Sequence, residues 1–360
     1  MCTPYYIERY CQSTKRKYSQ SKKIKELAEA CKVPYRGWLH PISTLGQDRV
    51  TCSRLISLKP DHIDYIPISK PVQNFLSNIM GMEAKGSLEN YTGYPEAGIF
   101  GILYLLQTNR YVCPIFPAIQ ELVTIILGHK NSALDEVYIP WEMAGLYWRW
   151  DESIKRYEFQ NFLRSQYIRT AQKCRDRFLL SLLTLHTKKG YVHANIIIYD
   201  KKTHTLERFD PYEVFTENVQ DERLDLQLQE LFIEIDPQFS EYVAPPDISF
   251  FEKFGLQLEQ KSEHLDPLGY CQPWTFIYAQ LRLSYPNIVP ECIPQILKQF
   301  VRAQNNHLTT FIRNYSHFLM QNSGLVYIEG VYDNFLGQYR DPRVGYIGLC
   351  LQRLAQQFAI

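Results

Sequence analysis

The sequence predicts an α+β fold: a mixed sheet with helices, a cysteine at the N-terminus of one helix, and a largely helical N-terminal extension. Three observations predict it. Three strand-like runs follow one another between Phe178 and Asp210, each too short for a typical helix and rich in β-branched and aromatic residues. Apolar residues recur at helical spacing both before and after those runs. Strands in one block, followed by helices, form layers of the α+β kind.

The elements follow in order. Residues 70–82 carry Val72, Phe75, Leu76, Ile79 and Met80 on one helical stripe. A second helix follows Pro117 through Ile119, Leu122, Val123 and Ile126 and ends at Gly128, where a terminal glycine is expected. Residues 138–163 gather Trp141, Trp148 and Trp150 among tyrosines and phenylalanines, either as packing between lobes or as the lining of a substrate groove. The run Phe178–Leu185 reads as a buried strand, and Tyr191–Tyr199 and Thr205–Asp210 as two more, joined by a short polar turn. A helix is expected from Asp221 to Phe232, with Leu224, Leu228 and Leu231 on one face. Further helices are expected at 273–285, 291–303 and 307–322, the last ending at Gly324. There is no internal repeat and no low-complexity tract.

Composition narrows the class. The chain has 360 residues, 45% hydrophobic and 21% charged, which suits a globular protein of one or two domains. A net charge of +1 gives no global attraction to nucleic acid or membrane. The exception is local: Lys15, Arg16, Lys17, Lys22, Lys23 and Lys25 form a basic stretch. It reads as a solvated helix face, with an arm that contacts nucleic acid as the alternative. The nine cysteines are scattered without CxxC spacing, so reduced thiols are expected, with neither a disulfide framework nor a zinc site. The N-terminal residues lack the apolar core of a signal peptide, and the runs Ile99–Leu106 and Leu122–Leu127 are too short to cross a bilayer. A soluble intracellular protein is expected.

Three residues carry the chemical argument. His193 lies in the second strand-like run, Asp210 closes the third, and Cys271 stands in Gly269-Tyr-Cys-Gln-Pro-Trp274. Taken singly, each has an ordinary role: a core histidine, a turn-forming aspartate before proline, a small buried cysteine. Together they supply what thiol chemistry needs, a nucleophile, a base and a group to orient the base. If the hairpin is symmetric about Lys201 and Lys202, His193 faces Asp210, Asn195 faces Arg208 and Ile197 faces Leu206. Directly opposed residues have Cβ atoms roughly 4.5–5.5 Å apart, within reach of an imidazole–carboxylate bond. Glu207 points to the other face. Pro273 suits a first helical turn, and Trp274, Ile277, Tyr278, Leu281 and Tyr285 keep helical spacing until Pro286. Cys271 is therefore expected at a helix N-terminus, where the dipole favours a thiolate. Gly269 allows close backbone approach just before it.

Four phrases together resemble a family encoded by large nucleocytoplasmic DNA viruses: His193-Ala-Asn-Ile-Ile-Ile-Tyr-Asp-Lys-Lys, Leu206-Glu-Arg-Phe-Asp-Pro211, Gly269–Trp274 with Leu281-Arg-Leu-Ser-Tyr-Pro-Asn287, and Phe311-Ile-Arg-Asn-Tyr-Ser316. That family is similar in turn to the adenovirus maturation and SUMO-deconjugating cysteine proteases. The resemblance covers residues 177–322 as the catalytic domain, leaving 1–176 as a mainly helical, substrate-selecting region and 323–360 as a C-terminal extension. It implies His193 as general base, Asp210 as orienting acid and Cys271 as nucleophile. It also implies Gln257 as oxyanion donor, with Gln260 second. The chain departs from the pattern in two places. Ala194 follows the histidine where those proteases carry Trp, and Gln257 lies about twice as far upstream of the cysteine, beyond an Asp266-Pro-Leu-Gly269 insert.

The function implied is a viral cysteine endopeptidase of host cytoplasm or virion, acting on a structural polyprotein or a ubiquitin-like conjugate. It needs no metal or organic cofactor and no membrane. The alternatives are a non-catalytic virion scaffold that keeps the fold, and an acyltransferase using the same dyad.

Overall fold

The computed structural model describes residues 68–82, 95–109, 111–128, 139–187, 190–212, 221–245, 255–257, 270–288, 290, 293–322, 351–352 and 354–356. The basic stretch from Lys15 to Lys25, Gln260, Gly269 and the expected helix end at Gly324 lie outside the described residues.

A seven-stranded mixed sheet organises these residues. Its central strand, β4 (Phe178–His186), is buried from Phe178 to Leu185, as an unbroken apolar run must be when both sheet faces are covered. On one edge β4 pairs antiparallel with β5 (Val192–Asp200), which pairs antiparallel with β6 (Thr205–Phe209) and through it, in parallel, with β7 (Glu241–Val243). The other edge of β4 is shared end to end. Here β1 (Val112–Pro114) runs parallel along Phe178–Leu180, and β2 (Leu146–Asp151) runs parallel along Leu183–His186. The outermost strand on that side is β3 (Arg156–Glu158), antiparallel to β2. The sheet thus runs across residue 176, where the sequence changes texture. Of the strands before it, the three-residue β1 and β3 carry almost no periodicity.

Helices cover both faces. In chain order they are α1 (Lys70–Met80), α2 (Pro95–Thr108), α3 (Ile119–Gly128), α4 (Trp141–Ala144), α5 (Asn161–Lys173), α6 (Asp221–Ile235), α7 (Cys271–Ser284), α8 (Ile293–Ala303) and α9 (Leu308–Asn322). α7 packs against β5 on one face, and every residue from Gln272 to Leu283 is buried. Its Tyr278 ring stacks on Phe209 with centroids 4.1 Å apart. Its Arg282 pairs with the buried Glu207 at 2.9 Å, and Glu207 also accepts from Tyr278 at 2.8 Å. α6 covers the opposite face, where Phe232 packs on Tyr199 and Asp225 meets Arg208.

The β5–β6 register corrects the expected one. Asp200 faces Thr205, Ile197 faces Arg208 and Ile196 faces Phe209, so the turn spans Lys201 to His204 instead of two lysines. His204 takes a positive φ of 51° to close it, and Asp200 accepts from the Lys202 and Thr203 amides at 3.0 and 3.2 Å. Arg208 therefore faces Ile197, not Asn195, and Asp210 follows beyond the last pair. A shift of two residues keeps every side chain on its expected face, whereas a shift of one would have reversed them all. His193, Asn195, Arg208 and Asp210 still share a face, and Glu207 points away.

A second difference concerns the thiols. The sulfurs of Cys113, in β1, and Cys174, which follows α5, are bonded to each other across a sequence separation of 61, with Cα atoms 6.3 Å apart. The expectation of nine reduced thiols does not hold for this pair. Sequence spacing cannot reveal it, because it arises where β1 lies along β4 beside the end of α5.

Two glycines one helical turn apart let α2 approach α7. A Cβ at Gly98 would sit 2.8 Å from Leu182 of β4, and one at Gly101 would sit 2.3 Å from the ring of Phe276, itself fully buried. Alanine at 101 gains helix propensity, but overpacking dominates. Gly101→Ala is expected to destabilise the fold by about 1–3 kcal/mol. Urea unfolding measures it, and unchanged stability would mean that α2 does not press on Phe276 as described.

Candidate active site

Asp210 follows directly on β6, and Pro211 holds it extended. Its carboxylate is bonded on both oxygens. Oδ1 lies 2.8 Å from Nε2 of His193 and accepts the Tyr212 amide at 2.8 Å. Oδ2 accepts from the Asn195 amide at 3.2 Å and lies 3.7 Å from a guanidinium nitrogen of Arg208. Asn195 is the cross-strand neighbour of this position, so His193 reaches Asp210 from a diagonal place two residues further along β5. Diagonal neighbours remain within range of long or aromatic side chains.

His193 is mostly buried, with 13% of its side chain exposed, and the Tyr212 ring packs on it at 5.3 Å between centroids. Desolvation works against the imidazolium, but the Asp210 charge and hydrogen bond, together with a hydrogen bond to Cys271, outweigh it and raise the His193 pKa to about 10. Burial likewise opposes ionisation of Asp210, yet the facing imidazolium, Arg208 and the Tyr212 amide carry its pKa down to about 2. Since Nε2 is engaged by Asp210, Nδ1 is the ring nitrogen left for the thiol.

Cys271 is the first residue of α7, so the helix begins two residues before the expected start at 273. Tyr270 precedes it without a side-chain cap, and the Trp274 amide closes the first turn on the Tyr270 carbonyl at 3.1 Å. The thiol is partly exposed although the residues after it are buried. His193 and α7 belong to opposite faces of the sheet. They meet because the sheet ends there: β6 stops pairing at Phe209, opposite Ile196, while β5 runs on to Val192, which is 42% exposed.

Gln257 lies beside the same loop. Its backbone amide donates to the Pro211 carbonyl at 3.0 Å. The approach requires glycine two residues earlier, since a Cβ at Gly255 would sit 2.4 Å from the Pro211 oxygen. The Gln257 side chain is buried, and its Oε1 has no hydrogen-bond partner among the described residues. Sequence reasoning placed Asn195 and Arg208 on this face but did not connect them to the carboxylate. Strand alternation held that signal. Asp225 and Tyr242, which bond Arg208 from α6 and β7, carry no such signal, because they arrive by tertiary packing.

Among the described residues, Asp176 lies beside the Cys113–Cys174 bond, with ligand atoms of the three side chains within 4.8 Å of one another, and sulfurs bonded to each other are not available as thiolate ligands for a metal. They stand roughly 20 Å from His193, six residues along the strand direction. No described helix is long and apolar enough to cross a membrane.

No family model matches the chain. It is similar to an ankyrin repeat protein of Acanthamoeba polyphaga mimivirus, 24% identical over 243 residues. That match covers 63% of this chain and 31% of the relative, so the chain spans about a third of the relative's length. Among solved structures, ChlaDub1 from Chlamydia trachomatis superposes with a TM-score of 0.33 at 12% identity, over 69% of this chain and 97% of that one.

The pKa shifts fix a pH dependence. The raised His193 pKa contributes stability that is complete below its ordinary value of 6.5 and is lost as pH rises through about 10. The lowered Asp210 pKa contributes stability that is present above its ordinary 3.8 and is lost as pH falls through about 2. Replacing His193 by Ala is expected to cost about 1–3 kcal/mol at pH 5, leaving the buried carboxylate short of a partner. Denaturant titrations at several pH values should show that difference shrinking between about pH 6.5 and 10. A difference constant across that range would contradict a charged pair.

Proposed function

We propose that this chain is a cysteine hydrolase, an endopeptidase in which Cys271 is the nucleophile, His193 the general base and Asp210 the acid that orients it. One observation carries the reading. The His193 ring is held through Nε2 by a buried carboxylate and is hydrogen-bonded to the Cys271 thiol. This is the nucleophile–base–orienter arrangement that covalent catalysis requires.

In the reaction, Sγ gives its proton to Nδ1 before the attack, forming the thiolate–imidazolium pair that the raised His193 pKa favours, and the sulfur attacks the carbonyl carbon of the scissile peptide. The C–O π bond yields an oxyanion, for which the Gln257 amide and the Cys271 backbone N–H are the donors we assign. Collapse breaks the C–N bond, and the leaving amine takes the proton from Nδ1. A water molecule then gives a proton to the same nitrogen and attacks the thioester carbonyl. The acid product leaves, and Sγ recovers its proton. Asp210 holds the ring's orientation through both halves without itself being protonated.

The substrate we assign is a polypeptide, either a viral structural polyprotein or a ubiquitin-like conjugate, met in host cytoplasm or virion. Similarity to a giant-virus protein supports the viral part of this reading. The tight approach of Gly255 to the loop after Asp210 supports Gln257 over Gln260, which lies outside the described residues.

Alkylation by iodoacetamide tests the chemistry without knowledge of the substrate. Mass spectrometry of the labelled chain is expected to find Cys271 modified first among the thiols that react. In His193→Ala the Cys271 rate is expected to fall about 100-fold or more. A Cys271 rate equal to that of the other free cysteines, and unchanged in His193→Ala, would leave a scaffold with a protease-like site. Transfer of an acyl group to a lysine amine without peptide cleavage would assign an acyltransferase instead.

A further inference from the structure

We infer that Arg208 is the residue that positions the Asp210 carboxylate, and through it the His193 ring, a role that rests on the cysteine-hydrolase reading of the site. Arg208 lies on β6 two residues before Asp210, so strand alternation puts both on one face. Its side chain is almost fully buried, with 1% exposed. A buried guanidinium must have its donors met, and here they connect three elements to the site. Nη1 donates to the Asn195 side-chain oxygen at 2.7 Å. Nε donates to Asp225 at 3.0 Å and to the Tyr242 hydroxyl at 3.1 Å, and Nη2 lies 2.9 Å from the same Asp225 oxygen.

The bond to Asn195 settles the orientation of that amide. Because its oxygen accepts from Arg208, its nitrogen is the end that faces Asp210 and donates to Oδ2. With Oδ2 occupied in this way, Oδ1 is the oxygen presented to Nε2 of His193. Arg208 thus acts on Asp210 twice, through the Asn195 amide and by its own charge at 3.7 Å. Lysine could supply the charge but not the planar fork that holds Asn195 and Asp225 at once.

Two cations face Asp210, the His193 imidazolium from β5 and the Arg208 guanidinium from β6. Asn195 of β5, Tyr212 of the loop and Asp225 of α6 face it too, with Tyr242 of β7 behind Asp225 and Cys271 of α7 bonded to His193. Two carboxylates share the guanidinium. Burial holds the Asp225 carboxyl above its ordinary range, against the pull of Arg208 and the Tyr242 hydroxyl, and the Asp210 charge adds to that rise. Asp210 takes the opposite course.

The test replaces the Arg208–Asp225 pair as a unit, Arg208→Met with Asp225→Asn, so that no buried charge is orphaned. Asp210 is followed by NMR of carboxyl-labelled aspartate against pH. In the unaltered chain its signal is expected to stay ionised down to about pH 3, given a pKa of about 2. In the double variant half-protonation is expected between about pH 3 and 5, because loss of a nearby opposite charge raises a carboxyl by about 1–3 pH units. Restoring the cation with Arg208→Lys, Asp225 kept as Asn, should return most of the shift. Arg177→Met serves as the control. It breaks the bidentate pair with Asp200 at the far end of β5, and should cost stability without moving Asp210. An unmoved Asp210 titration in a folded double variant overturns the inference. The readout does not involve the thiol, so an unreactive Cys271 removes the hydrolase reading alone, and an unmoved titration beside a reactive Cys271 removes this inference alone.

Discussion

The carboxylate of Asp210 is a charge kept where water scarcely reaches, and much of the surrounding architecture follows from keeping it there. An ionised carboxylate moved out of water without partners would simply take up a proton. Here both oxygens are bonded, by an imidazole, two amides and a nearby guanidinium, and these donors arrive from three places in the fold. Two come from β5, one from the backbone after Pro211, and one from β6. The strand pairing that brings them together therefore sets the charge as much as the shape of the site. An error of one residue in the β5–β6 register would remove the imidazole and Asn195 from that face together.

The same economy governs α7. A helix with buried residues at each position from 272 to 283 has no polar side to spare, and its Arg282 and Tyr278 are paired inside the core with Glu207. Those pairs cross from helix to β6 and lock the helix along its axis. Cys271, the first residue, is thereby held in place by contacts two and three turns away. The glycines of α2 contribute from the other side, letting a second helix press on Phe276. A nucleophile at the end of a helix is only as well placed as the helix is immobile, and burial on all sides supplies that immobility.

How much of this was legible in the sequence depended on scale. β4, β5 and β6 are long enough to show their character, and the helices at 70–80, 119–128, 221–235 and 271–322 follow periodic stripes or a proline start. The three-residue strands β1, β3 and β7 show nothing, and α2 hid because it is apolar nearly all round, with glycines where a stripe would be read. The candidate site came through an error that cost little. The turn was taken as two residues shorter than it is, yet Asp210 and His193 kept their face, because side-chain direction in a strand repeats every second residue. The Cys113–Cys174 bond and the arrival of Asp225 were invisible for a shared reason. Both are products of how elements dock, and neither partner's local sequence encodes the other.

The meeting of thiol and imidazole poses a geometric problem that the sheet solves by ending. α7 lies on one face and the His193 row on the other, so a contact through the middle of the sheet would have to pass a hydrogen-bonded ladder. The structure instead lets β6 stop one residue before Asp210, while β5 continues from Ile196 back to Val192. Along that unpaired margin the two faces share an edge, and a side chain from each can reach the other around it. The proline after Asp210 makes the stop firm, since it has no amide to offer the ladder and its carbonyl is taken by Gln257. The residue that ends the strand thus serves two purposes: it opens the margin where sulfur and ring come together, and it anchors the glutamine segment beside them.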